Sequence, residues 1–293
     1  MTYYWPSGTL ARSGSDVLLT PRDAGWTYTG LQVETLNGVL EFATADREFA
    51  IIPLSGGLRV EVEDLSFELE GRPDVFSRVT DWAYIPLNTE VRLQAPRGTR
   101  VALASSLASR CFEPAYVPAE SVTVEIRGSG PATRQVTNFM SPEAFGGADH
   151  LMCVELLTPD GNWSSYPPHR HDASPECPVN NEEIYYFEIG SSRDGGVSSE
   201  GFGLYHGYQS ESSFEQTLVV RHGDVVTVPF GYHGPCVAAP GYPMYYLNVL
   251  AGPHAQRSMA FCDDPTHHWV RAAWETMSPD SRCPMTSFAG KVQ

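Results

Sequence analysis

The stretch Tyr166-Pro167-Pro168-His169-Arg170-His171-Asp172 sets two imidazoles two residues apart. In an extended chain alternate side chains share a face, so His169 and His171 point the same way, an arrangement of ligands suited to a strand and not to a helix. Arg170 between them must point the other way, and its expected place is the surface or a subunit boundary.

Further along, Asn181-Glu182-Glu183-Ile184-Tyr185-Tyr186-Phe187 reads as a strand. Its period of two puts Glu183, Tyr185 and Phe187 on one face and Glu182, Ile184 and Tyr186 on the other, so one of the two glutamates faces inward. The segment from Gly223 to His233 then runs from a turn through Val225–Val228 into a Pro/Gly turn that ends in a histidine. Three neutral imidazoles and one carboxylate suit a single divalent ion. Zinc and manganese are the leading fits and iron and nickel the alternatives, with ligand bonds of about 2.0–2.2 Å for zinc.

The surroundings of these segments are strand-like. Residues 38 to 128 hold apolar runs at Val39–Phe42, Glu48–Ile52, Leu58–Val62, Phe67–Leu69, Trp82–Ile85, Val91–Gln94 and Val101–Ala104. Turn signals separate them, among them Ser55-Gly56-Gly57 and Glu70-Gly71-Arg72-Pro73. The second half repeats the style from Leu151 to Leu250, and all nine histidines lie at or after His150. The expected fold is mostly β, with two β-barrel domains in tandem, and Gly128–Thr133 is the best boundary. That divides the chain into 1–132, without histidine, and 133–293. A C-terminal helix is expected over Pro265–Met277, with Trp269, Ala272, Ala273 and Trp274 as its apolar stripe.

Composition narrows the function. With 19 basic and 35 acidic residues the net charge is -16, which disfavours nucleic acid and anionic membrane surfaces as partners. The single lysine, Lys291, leaves lysine-based covalent catalysis to a terminal residue. Six scattered cysteines without a CxxC pair read as reduced thiols. Residues 1–16 carry no charged start followed by an apolar run, and a cytoplasmic protein is the expectation. His150, His206, His222, His254, His267 and His268 lack ligand spacing and read as turn or surface residues.

An HxH pair, a glutamate opening the next strand and G-x5-P-x-G-x-H together resemble the motifs of the cupin superfamily. The resemblance implies His169, His171, Glu183 and His233 as metal ligands and a jelly-roll barrel for each domain. A longer gap between the HxH pair and the glutamates keeps Glu182 as a rival to Glu183. The runs Tyr166–Asp172, Glu182–Phe187, Gly231-Tyr232-His233, Ala239–Tyr242 and Tyr245–Pro253 are similar more narrowly to the 5-deoxy-glucuronate isomerase family, in which the second of two cupin domains carries the metal. Val75–Pro86 matches that family's degenerate first domain.

That resemblance implies an aldose–ketose isomerase that converts 5-deoxy-D-glucuronate to 5-dehydro-2-deoxy-D-gluconate in inositol catabolism. Glu182, Tyr185, Tyr246 and Asn248 are the candidate catalytic residues, with Glu182, Glu183 and Tyr246 as possible bases. Arg170, Arg221 and Arg257 are candidates for the substrate carboxylate. Rival readings are a 4-deoxy-5-oxo-uronate isomerase of pectin breakdown, a cupin oxygenase and a non-enzymatic sugar-binding cupin. The partners expected are a small anionic sugar acid and further copies of the chain, since exposed sheet edges and apolar faces favour a homo-oligomer.

Overall fold

The computed structural model describes residues 2–209 and 213–292. Almost all regular structure is antiparallel β-sheet, as the many short apolar runs and Gly/Pro turns require.

The N-terminal half is organised by one strand, Arg47–Val62. Its first part pairs with Thr99–Leu107 and Trp82–Ile85, and its second part with Leu65–Arg72 and Glu90–Gln94. The expected break at Ser55-Gly56-Gly57 is instead a double bulge within a continuous strand, and Leu65–Arg72 likewise runs on through Gly71. Bulged strands bend and switch partners, which is how one segment serves two parts of a barrel wall. Glycine is needed at the bend: a Cβ on Gly57 would lie 2.5 Å from the Glu70 carbonyl oxygen. Val60, Val62, Ile51, Leu93 and Leu103 fill the interior, which is packed with apolar side chains.

The second half curls a seven-stranded sheet against a six-stranded one. In the larger sheet Glu182–Ile189 lies between Val225–Val228 and the central strand Met244–Ala251. Its far edge is the hairpin Thr123–Arg127 with Arg134–Asn138, so Gly128–Thr133 is the turn of a hairpin inside this sheet. Its other edge is Tyr4–Trp5, paired to Val225–Val228 from the opposite end of the chain. The smaller sheet brings His169–Arg170 between Tyr232–Ala238 and Cys262–Asp263.

The two halves share a core. On Glu182–Ile189, Ile184 and Tyr186 face outward into a core shared with Leu31, Val33, Ala50 and Ala102 of the first half, while Tyr185 and Phe187 face the second barrel's interior. Buried charges cross the same junction. The Arg72 guanidinium pairs with Glu155, and the Glu48 carboxylate accepts from the N–H groups of Asp149, His150 and Leu151 at 2.7–2.8 Å.

Two further expectations need correction. Cys177 and Cys262 are joined in a disulfide, with Cα atoms 5.7 Å apart across 85 residues, because Cys262 lies on the strand beside His169–Arg170 and the Asp172–Asn180 hairpin folds back towards it. The C-terminal helix is one turn, Val270–Ala273, followed by a 3-10 turn at Trp274–Thr276, and it buries none of its residues. Trp269, expected on its apolar stripe, is exposed. No helix among the described residues is long and apolar enough to cross a membrane.

Candidate metal centre and cavity

The register of the smaller sheet sets His169 directly opposite His233. That register depends on Gly234: at φ +91° it lies so close to the Ser165 carbonyl that an added Cβ would sit 1.8 Å from the oxygen. On the facing sheet, alternation carries Glu183 to the same interior. The nitrogen and carboxylate ligand atoms of His171, Glu183 and His233 all lie within 4.8 Å of one another. His171 Nε2 is 2.9 Å from Glu183 Oε2, and His233 Nε2 is 3.0 Å from the same oxygen.

Backbone carbonyls orient two of the rings. His171 Nδ1 is held at 3.0 Å by Asn181 O and His169 Nδ1 at 3.1 Å by Pro167 O, which leaves Nε2 of each ring, and not Nδ1, available to a metal. The His169 ring is 4.3 Å from that of His233, outside the three-residue cluster but beside it. Both ring nitrogens of His233 are buried without a hydrogen-bond partner, although Nε2 lies 3.0 Å from the Glu183 carboxylate. Buried polar atoms are rarely left unpaired, and here two imidazoles and a carboxylate converge on one point, which is a donor set that fits a borderline divalent cation.

Electrostatics follow from burial and from this crowding. Burial raises the Glu183 carboxyl, but His233 and His171 outweigh it and hold the group well below the usual carboxylate range. Burial pulls His169 far down, aided by His233, so its ring is neutral. Burial drives the phenols of Tyr185 and Tyr246 upward, and both keep their protons at neutral pH.

The cluster opens into a cavity of about 690 Å³. Alternate residues of four neighbouring strands line one wall, including Glu183 and Tyr185, Asn248 and Leu250, Val154 and Leu156, and Arg134 and Asn138. Asn248 presents a buried Oδ1 with no partner. Ser165, at φ +46°, reaches Tyr246 OH at 2.9 Å and Tyr185 OH at 3.3 Å, and Tyr246 donates onward to Ser164 at 2.9 Å.

Of the sequence-predicted residues, His169, His171, Glu183, His233, Tyr185 and Asn248 meet here, with Tyr246 behind Ser165. Glu182 does not. Its carboxylate points to the other face and accepts from the N–H groups of Thr27, Tyr28 and Thr29 at 2.7–2.8 Å, turned away from the imidazoles and the cavity. Arg170 is buried, not on the surface, paired with Asp172 and laid against Tyr232. Neither it, nor Arg257, which donates to Leu151 O and Phe145 O, nor Arg221 lines the cavity. The arginines that do are Arg127, Arg134 and Arg271. Ser165 and Arg134 were missed, the latter because the Gly128–Thr133 turn that joins Thr123–Arg127 to Arg134–Asn138 has the composition of a linker.

The family model of the KduI/IolB family matches residues 4–270. This chain belongs to the KduI/IolB family. Among its relatives, a 5-deoxy-glucuronate isomerase of Geobacillus kaustophilus is 38% identical over 90% of this chain and 94% of its own length. The Bacillus subtilis 5-deoxy-glucuronate isomerase is 37% identical over 76% and 80%. An IolB-like protein of Salmonella typhimurium superposes with a TM-score of 0.83 at 29% identity, covering 92% of this chain and all of the other. Oxalate decarboxylase of Lactobacillus farciminis superposes at 0.63 with 12% identity over 87% and 88%, a likeness of fold alone. This member of the KduI/IolB family therefore has the mostly β, cupin-type fold expected from its motifs.

Proposed function

We propose that this KduI/IolB-family chain is an aldose–ketose isomerase that converts 5-deoxy-D-glucuronate to 5-dehydro-2-deoxy-D-gluconate, with one divalent ion held by His169, His171, Glu183 and His233. The observation that carries the metal site is the convergence of His171 Nε2 and His233 Nε2 on one Glu183 oxygen at the floor of the cavity. The isomerase names of relatives that are 38% identical support the substrate. Residues 1–132 act in this reading as scaffold and 133–293 as the metal-binding unit, in keeping with the apolar filling of the first barrel.

The reaction moves a proton from C2 to C1 through an enediolate, and a bound ion supplies positive charge beside the reacting oxygens. The chain's own groups supply the rest. Tyr185 and Tyr246 stay neutral and, with Ser165, form a chain of O–H donors at the cavity wall for oxygens that gain negative charge. The unpaired Asn248 Oδ1 accepts from a substrate hydroxyl. Sheet walls of Val154, Leu156 and Leu250 limit water around the carbanionic centre.

We place the enzyme in the cytoplasm and expect a homo-oligomer. The exposed row Trp163, Leu204 and Val219, linked through Val237 across the outer face of the smaller sheet, supports a covered face. The deciding experiment is proton NMR of the metal-analysed protein with 5-deoxy-glucuronate in D₂O, before and after chelation. Ketose formation with deuterium incorporation that stops on chelation is expected. A faster reaction with a 4-deoxy-5-oxo-uronate would reassign the substrate, and conversion untouched by complete metal removal would remove the metal from the reading.

A further inference from the structure

Beyond the metal cluster, the same cavity reaches a second group of charged side chains on the Thr123–Arg127/Arg134–Asn138 hairpin and the C-terminal turn of helix. Three guanidiniums line it, and two are already neutralised. Arg127 donates to both oxygens of Glu125 at 2.7 and 3.0 Å, and Arg271 donates to both oxygens of Asp263. Arg134 forms no ion pair among the described residues, although it is only 4% exposed. Its Nη1 donates to Ala132 O at 3.1 Å, and its Nε is buried with no hydrogen-bond partner.

A buried cation without a counter-anion is costly, and pairing with an incoming anion offsets that cost. The strain on Arg134 is visible in its acidity. Burial pulls the guanidinium down to about 10, with repulsion from Arg127 and Arg271 adding to the shift against the opposing pull of Tyr246 and Glu125, yet it stays charged at neutral pH. The Trp274 ring lies 5.7 Å from the guanidinium carbon, and Nη1 is engaged with a carbonyl, so the unused donors are on the Nε side. That edge is the one that binds a carboxylate through two parallel N–H bonds.

We propose that Arg134 receives the carboxylate of the sugar acid and makes this site selective for uronates over neutral aldoses. The proposal rests on the isomerase reading above, because it assumes a substrate whose reacting C1 and C2 are remote from a terminal carboxylate. Such a molecule needs two polar anchors at separate places in one cavity. The His171–Glu183–His233 cluster is one and Arg134, on a strand beyond two intervening strands of the same sheet, is the other.

The test compares 5-deoxy-glucuronate with the neutral 5-deoxy-hexose that carries a hydroxymethyl group in place of the carboxylate. In the metal-loaded wild type the uronate is preferred. Arg134→Gln raises KM for the uronate by roughly 10–100-fold, leaves kinetics on the neutral sugar within about twofold, and so abolishes the preference. Arg134→Lys retains part of it. Equal losses on both sugars, or an unchanged KM for the uronate, would overturn the proposal.

Arg134→Met tests for a merely structural role: its ligand-free melting temperature should match or exceed that of wild type, since an unpaired charge is removed, and a large drop would assign Arg134 to scaffolding instead. Calorimetric titration with D-glucuronate and D-glucose reads the same site without turnover. A wild-type preference for D-glucuronate that Arg134→Gln removes upholds the anion site even where neither deoxy sugar is isomerised, an outcome that would sink only the isomerase reading. No preference in the wild type overturns the site itself.

Discussion

Glu182 and Glu183 are consecutive residues whose carboxylates lie on opposite faces of one strand, the first capping three backbone N–H groups of residues 27–29 and the second meeting two imidazoles. Each substitution should therefore break a different thing. Glu183→Gln is expected to lose bound metal, read by elemental analysis, and with it isomerase activity. Glu182→Ala should keep its metal and lose about 1 kcal/mol of stability in urea denaturation, the cost of removing the acceptor from three exposed to part-buried donors. Metal loss in the Glu182 variant would reverse the two roles.

Ser165 joins the Tyr185 and Tyr246 hydroxyls at the cavity wall. Ser165→Ala and Tyr246→Phe are expected to lower kcat by about 10²-fold with metal content retained and KM little changed, the pattern for donors that act mainly in the transition state. A rise in KM at constant kcat would make them groups that bind ground state and transition state alike.

Asp149 accepts from the N–H groups of Ser109 and Arg110 and from the Arg110 guanidinium. Burial alone would raise this carboxyl, but those donors outweigh it and hold it at about 2. Because the folded value lies below the unfolded one of roughly 3.9, its contribution is fully present above pH 4 and is lost as pH falls towards 2. Denaturation midpoints of wild type and Asp149→Asn should thus converge over that window. Parallel pH profiles would show that the carboxylate contributes nothing.

Leu204 stands opposite Val219 in an exposed apolar row on the outer face of the smaller sheet. Light scattering of the wild type should give an oligomer, and Leu204→Glu should shift it to smaller species by placing a charge on that face. A wild type that is monomeric at all concentrations would mean that the row is not an interface.

Much of the site was legible because metal ligation on a strand is written in a spacing of two. His169-x-His171, the Glu182-Glu183 opening of the next strand and the Pro229-x-Gly231-x-His233 turn could be read directly. The hairpin bearing Arg134 was not, because Gly128–Thr133 has the composition of a linker and of a turn alike, and only its Thr123–Asn138 pairing distinguishes them. The Ser55-Gly56-Gly57 stretch misled for the same reason, glycine serving equally in a turn and in a strand bulge.

By itself the sequence determined the mostly β architecture, the placing of the candidate metal ligands in the second half and the family, because these rest on local alternation and on motifs of fixed spacing. Tertiary structure decided which glutamate faces the imidazoles, that Tyr4–Trp5 completes the sheet of the second half, that Cys177 meets Cys262, and that Arg134 lines the cavity. Alternation divides a strand into two faces without saying which becomes the interior. That choice belongs to packing between residues far apart in the chain, here Ile184 and Tyr186 against the first half and Glu183 and Tyr185 against the facing sheet.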